Sequence, residues 1–355
     1  LGTSSNGAVY VYQRNGNTWD PIGNIITDPK GDRTGSSLAF SDDGSILAVG
    51  SGTSPSGVSA SNYKGFTTVY KYNNTNNLWE MLGQQILGEA TRDYSGSSID
   101  VSSDGTIVAI GAYGNDGGTT NGNHGHVRVF KYNNSSWEQM GEDVDGNPDF
   151  NINFGAVVTL SNDGKTLIVS DLSSQSGAGS VEVFNWNKIT SLWEHEVQLK
   201  SFKSSGVNNS HRYKFGSATA ISDDKRVLII GERENIEGKV YVYVKNETGT
   251  WVENDLFLRG TKKAGQYFGN DVSLSSNGNT LVVGSEKHNQ EGTQTGMAAV
   301  YHLNLCSSVA GFEVFDGVEN TTHLPSDNLI KNGSAEILPI TDNGWTAVSG
   351  KWEWP

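Results

Sequence analysis

Apolar and polar residues alternate along this chain in short bursts, each turned back on itself by a tight polar link. Five segments share the pattern: GSSLAFSDDGSILAVGS (35–51), GSSIDVSSDGTIVAIGA (96–112), GAVVTLSNDGKTLIVSD (155–171), GSATAISDDKRVLIIGE (216–232) and GNDVSLSSNGNTLVVGS (269–285). A period of two places alternate side chains on opposite faces of a strand. Asp-Gly or Asn-Gly between two such stretches is a hairpin signal, because the turn needs positive φ. A second pattern follows each hairpin: GFTTVYKY (65–72), GHVRVFKY (125–132), GSVEVFNW (179–186), GKVYVYVK (238–245) and GMAAVYHL (296–303), with a sixth copy, GAVYVYQR (7–14), ahead of the first. Every copy but the last leads into a segment centred on one tryptophan: Trp19, Trp79, Trp137, Trp193 and Trp251. Helical periodicity is almost absent.

The glycines that open the second pattern fall at 7, 65, 125, 179, 238 and 296, spaced by 58, 60, 54, 59 and 58 residues. Each unit therefore holds four strands, A and B from the hairpin, C from the second pattern and D around the tryptophan. Identical four-stranded units repeated in series are the blades of a propeller. The pattern predicts an all-β chain: a β-propeller of four-stranded blades over residues 1–305, with five complete repeats plus an extra strand, then the beginning of a β-sandwich. The last unit lacks a D strand. The Trp19 segment could supply it, which would leave 7–14 surplus and open to pairing with another chain. The chain opens at Leu1 and closes at Pro355 in mid-pattern, which reads as a processed or partial product of a longer polypeptide.

The repeat resembles the FG-GAP repeat, in the variety that lacks the full calcium loop. Phe154-Gly155, Phe215-Gly216 and Phe268-Gly269 carry the first half of the motif, and Val49-Gly50-Ser51 and Ile110-Gly111-Ala112 the second. The resemblance covers residues 7–303. It implies a propeller of the kind found at cell surfaces and in secreted proteins, as in the integrin α-chain head. The turns here read SDDGS, SSDGT, SNDGK, SDDKR and SSNGN. None has the spaced carboxylates that would give Ca²⁺ its six to eight oxygens, so hairpin turns are expected rather than ion sites. After Cys306 the repeat stops. Residues 306–327 read as a linker, and 328–355 (NLIKNGSAEILPITDNGWTAVSGKWEWP) resemble the opening strands of galactose-binding-like jelly rolls, the start of an incomplete second module.

The net charge of −14 argues against nucleic acid as partner. A single cysteine excludes a disulfide scaffold and a cysteine-based zinc site. No apolar run approaches the roughly 18 residues needed to cross a bilayer, so no membrane insertion is expected. Enzyme signatures are poor: there is no G-x-S-x-G, P-loop or H-E-x-x-H. The turn aspartates Asp43, Asp104 and Asp163 recur at one repeat position, which marks a structural role, since an active site breaks repeat symmetry. His124 and His126 flank Gly125 and share a strand face, but no carboxylate or third histidine lies nearby in sequence; a polar loop edge is the expectation. The repeat tryptophans are expected to fill wedges between blades. Lone Cys306 reads as buried and inert, or as paired beyond the repeat.

Asn73, Asn133, Asn134, Asn208, Asn246, Asn320 and Asn332 stand in N-x-S/T sequons, and Asn73, Asn133, Asn134 and Asn246 fall in the C–D turn. They are the candidate glycosylation sites of an extracellular or cell-surface protein. With no catalytic, cofactor or metal residue singled out, the sequence reads as a non-catalytic extracellular structural or adhesion module. A sharper form of that reading is the protomer of a glycosylated surface filament or sheath assembled by strand pairing between subunits. Its partners would be proteins or copies of itself, with carbohydrate as a further class, and no cofactor is expected. The alternative is a carbohydrate-binding lectin or glycosidase propeller, which would need two carboxylates across a pocket. An intracellular scaffold of the WD type lacks its Trp-Asp ending here. Native protein is expected to carry hexose in its intact mass; a bare polypeptide mass would count against the extracellular location.

Overall fold

The computed structural model describes residues 7–27, 34–52, 63–116, 124–147, 153–172, 179–200, 214–233, 238–260 and 267–303, apart from 287–288, 291–292 and 295. Among these residues there are strands and turns and no helix, hence none long and apolar enough to cross a membrane. The sequons at Asn208, Asn320 and Asn332, Cys306, and the proposed linker and jelly-roll start lie outside them.

The strands build five antiparallel sheets in series, the five blades of a β-propeller. The first runs Ser37–Phe40, Ile46–Ser51, Phe66–Asn73 and Leu78–Met81, and the second Ser98–Val101, Ile107–Ala112, His126–Tyr132 and Trp137–Gln139. The third is Phe154–Leu160, Thr166–Asp171, Ser180–Asn187 and Leu192–Lys200, and the fourth Lys214–Ile221, Val227–Arg233, Lys239–Lys245 and Trp251–Arg259. The fifth has three described strands, Phe268–Leu274, Thr280–Ser285 and Met297–His302. In the first two blades the D strand breaks and returns as Ile86–Leu87 and Val144–Asp145 to pair with the start of C.

The Trp19 segment does not complete the last blade. Tyr12–Asn15 pairs with Thr18–Pro21, and Ala8–Val9 with Ile26–Thr27, so the leading C strand takes the Trp19 segment as its own partner. The reason is local: Asn15 faces Thr18 across a two-residue link, and closing so short a loop costs little chain entropy. This hairpin lies against the first blade, where Val9 and Ile26 join Leu47, Val49 and Trp79 in one cluster.

Each turn between A and B is built alike. The serine before the aspartate donates to it, as in Ser41–Asp43 at 2.7 Å, Ser102–Asp104 at 2.7 Å, Ser161–Asp163 at 2.6 Å and Ser222–Asp224 at 2.6 Å. The carboxylate also accepts the amide two residues on, while the serine oxygen accepts the first amide of strand B. Asn277 stands in for aspartate in the fifth copy. The repeated aspartates are therefore occupied in holding their own turns, as their repetition implied.

The core lies between blades. Strand B is buried along its whole length in the first three blades, since its two faces meet its own sheet's neighbours on either side. One cluster joins Val127 and Val129 of the second blade to Phe154, Val158 and Leu167 of the third; another joins Ile168 and Val181 of the third to Phe215, Leu228 and Tyr241 of the fourth. Each such buried side chain contributes about 1.5–3 kcal/mol. Trp79, Trp137 and Trp251 are buried, and the Trp137 and Trp193 indoles donate to the carbonyls of Leu82 and Met140 in the preceding blade's D segment. Trp19 is the exception, 62% exposed, because no preceding blade covers it among the described residues.

The glycine opening strand C sets how closely successive blades approach. A Cβ on Gly179 would lie 2.2 Å from the carbonyl oxygen of Phe215, and φ there is +81°. Gly179→Ala is expected to lower stability by about 3 kcal/mol or more, from left-handed strain plus a backbone clash. Chemical denaturation should show it as a lowered midpoint.

Candidate functional site

The A strands of neighbouring blades pack against one another, and together the five line a cleft of about 500 Å³. Leu38, Asp100, Thr159, Thr219 and Asp271 each come from a different blade. Asn162, in the third A–B turn, reaches across the end of the cleft, donating to Asp223 at 2.7 Å and to Asp42 at 3.4 Å. Among the described lining residues none is basic. The polar groups are neutral, as in the Thr159 and Thr219 hydroxyls 2.7 Å apart, except for the two carboxylates.

Asp100 is the unusual residue. It sits mid-strand in Ser98–Val101, where the other blades place Ala39, Thr159, Ala220 and Ser273. Its oxygens accept the Val101 amide at 2.9 Å and, from the next blade, the Leu160 amide at 2.7 Å. Burial dominates these hydrogen bonds and pushes its pKa up to about 6. A carboxyl poised near neutrality in a cleft is equipped to take and return a proton. Asp271, exposed on the A strand of the fifth blade, supplies the second carboxylate of the same cleft. Sequence reasoning passed over both. Asp100 reads as one more polar position in an alternating strand, and only alignment of the five copies, position by position, sets it apart.

The histidine pair separates. His126 is buried and its pKa falls to about 4, burial outweighing the pull of Asp143. It meets Glu89 and Asp143 rather than His124. Of the sequons within the described residues, Asn133, Asn134 and Asn246 are exposed and Asn73 is half-buried. Asn133 caps its own turn by accepting the amides of Ser135 and Ser136, and Asn246 accepts those of Thr248 and Thr250.

No family model matches the chain. No curated protein matches it either. Many solved structures share the fold. A protein from Bacteroides fragilis described as a candidate 6-phosphogluconolactonase aligns at 13% identity with a TM-score of 0.51, over 94% of this chain and 86% of its own. A hypothetical selenium-binding protein from Sulfolobus tokodaii aligns at 9% identity with a TM-score of 0.55, over 84% and 70%. The periplasmic gluconolactonase of Pseudomonas aeruginosa aligns at 14% identity with a TM-score of 0.44, over 85% and 89%. The propeller that the FG-GAP resemblance implies is present; the FG-GAP identity gains no support from a family model.

The expectation of a non-catalytic adhesion module or filament protomer is corrected. The cleft of the described propeller holds two carboxylates, one with a pKa raised into the working range of an acid–base group, and the fold is shared by the Bacteroides fragilis protein described as a candidate 6-phosphogluconolactonase. The extra strand on which the filament reading leaned pairs along one edge with the Trp19 segment of the same chain. The physical reason is that the carboxylates that recur in the repeat hold turns, whereas Asp100 occurs in one blade only and sits where an alternating strand carries a polar residue anyway.

Asp100 also bears on stability. Its carboxyl has a higher pKa folded than unfolded, so the folded state binds the extra proton, and stability falls as pH rises from about 4 through 6. Asp100→Asn should abolish this pH dependence, but its amide has one acceptor oxygen where the carboxylate has two, so the Val101 or Leu160 amide loses its partner and the variant is expected to be no more stable than wild type at pH 7 and less stable below pH 4. Thermal melts of both proteins across that range check it.

Proposed function

We propose that the chain is a propeller hydrolase acting on an unphosphorylated sugar lactone in the central cleft, with Asp100 as general base. The observation that carries this reading is the Asp100 carboxyl, at a cleft position that is uncharged in the other four blades, its pKa about 6. The fold-level likeness to the Bacteroides fragilis protein suggests the substrate class. Among the described residues that line the cleft there is no Lys, Arg or His, which favours a neutral sugar over a phosphorylated one, since phosphate recognition uses cationic groups.

In this reading Asp100 accepts a proton from water as the water oxygen attacks the lactone carbonyl. The ring C–O bond then breaks, and the proton passes to the departing oxygen to give the open hydroxy acid. Thr159, Thr219 and Asn270 supply neutral hydrogen-bonding groups for the sugar hydroxyls. Asp271 adds a second acceptor. The extracellular or cell-surface location and N-linked glycosylation at Asn73, Asn133, Asn134 and Asn246 belong to the same proposal, with carbohydrate as partner.

Turnover of a panel of aldonolactones, measured above the uncatalysed rate, tests it. The expected kcat/KM rises through about pH 6 and levels above it, because the base must be ionised. Asp100→Asn should lose about 100-fold or more while keeping its fold by circular dichroism. Wild-type protein inactive on every unphosphorylated lactone, or an Asp100→Asn variant with full activity, would overturn it.

A further inference from the structure

A second cluster of chemistry-bearing side chains lies away from the cleft, between the first and second blades. His126 opens the C strand His126–Tyr132 of the second blade, opposite Asp145. Asp143 comes from the break in that blade's D strand. Glu89 follows Ile86–Leu87, the returning D segment of the first blade. The folded chain thus gathers three residues far apart in sequence, and one donor atom from each lies within 4.8 Å of the other two.

The orientation of these groups is informative. His126 Nδ1 faces Asp143 Oδ2 at 3.6 Å and Glu89 Oε2 at 3.9 Å. Both separations exceed the reach of an N–H···O hydrogen bond, and both are close to the roughly 3.4 Å between neighbouring ligands around a tetrahedral ion with bonds near 2.1 Å. The imidazole side chain is only 2% accessible, and its other nitrogen, Nε2, is buried without a hydrogen-bond partner. Hydrogen bonding within the protein therefore does not account for the ring's placement.

The far oxygens of the two carboxylates are held by other groups. Gln139 Nε2 donates to Asp143 Oδ1 at 2.6 Å. Arg128 Nη1 lies 3.4 Å from Glu89 Oε1 while its Nη2 donates to the Leu87 carbonyl at 2.7 Å. Each carboxylate thus has one oxygen steered by a neighbour and the other turned to the histidine, the arrangement that outer groups impose on metal ligands. The plain alternative is an Arg128–Glu89 ion pair beside a core histidine. That pair uses only Oε1, and it leaves Glu89 Oε2 and Asp143 Oδ2 both turned toward His126 Nδ1. Glu89 and Asp143 are 45% and 29% accessible, so solvent reaches both carboxylates.

We propose that Glu89, His126 and Asp143 bind a divalent first-row transition ion, Zn²⁺ or Mn²⁺, at the junction of the first two blades. One imidazole nitrogen with two carboxylate oxygens suits such ions, whereas Ca²⁺ takes six to eight oxygens. The positive charge of Arg128 beside Glu89 weakens the site but leaves it net negative. Held by two blades, the ion would tie Glu89 of the first to the second.

The test is calorimetric titration of untagged, EDTA-dialysed protein with ZnCl₂ and MnCl₂, with CaCl₂ as comparison. One equivalent of Zn²⁺ or Mn²⁺ is expected to bind and to raise the melting temperature. Glu89→Gln and Asp143→Asn should each weaken binding about 10-fold or more. Both carboxylates are solvent-accessible, so melts in EDTA should show the variants folded. Failure of the wild type to bind a stoichiometric ion, tighter binding of Ca²⁺ than of either transition ion, or undiminished binding in both variants would overturn the site. None of these readouts depends on lactone turnover.

Discussion

Successive blades meet backbone to backbone, and everything else in this molecule follows from how close that meeting is. The glycine that opens strand C stands against the carbonyl of the residue that leads into the next A strand: Gly65 against Ser95, Gly125 against Phe154, Gly179 against Phe215 and Gly238 against Phe268. A side chain at any of them would enter the neighbouring main chain. Gly7 meets Thr34 in the same way, so the leading hairpin obeys the blade rule although no A or B strand precedes it among the described residues. With the outer contact so tight, the fully buried rings of Phe154, Phe215 and Phe268 fill the space behind it. Each meets an aromatic ring of strand C, Phe184, Tyr241 and Tyr301, edge to face.

Repetition of this contact explains why symmetry is a guide to role. Residues that recur from copy to copy are consumed by the frame: serine with aspartate or asparagine in the A–B turns, glycine at the blade junctions, tryptophan in the wedge. Chemistry is left to positions where one blade differs. Asp100 is such a position, and its cost to stability when ionised is what a purely architectural residue would not carry. Glu89, His126 and Asp143 are another, using breaks in two D strands that the third and fourth blades do not have.

Much of the frame was legible in the sequence. Alternation around SDDG and its relatives gave the hairpins, and the regular glycine spacing gave the blades, because both are local or periodic signals. Trp137 and Trp193 were read as wedge fillers and donate across the blade boundary. Trp19 looked identical in sequence, yet its exposure depends on what stands before it in space. Asp100 was present in GSSIDVS but disguised, since a polar residue is unremarkable in an alternating strand; its meaning comes from burial in the cleft, which no spacing reports. His126 was noticed beside His124, its sequence neighbour, while its actual companions lie 37 residues before and 17 after it. Blade-to-blade contacts of that kind are set by how successive sheets pack on one another, not by any local motif.

The A–B turns are joined to one another as well as closed upon themselves. Asp42 donates its amide to the Ser103 carbonyl, Ser103 to Asn162, and Asp223 to Ser276, each link crossing from one blade to the next. Amides in exposed turns ordinarily trade their hydrogens with water within moments. Here those three protons are handed to an adjoining blade, and they can escape only when two blades part. In deuterated solvent they become clocks for the breathing of the propeller, each timing one seam.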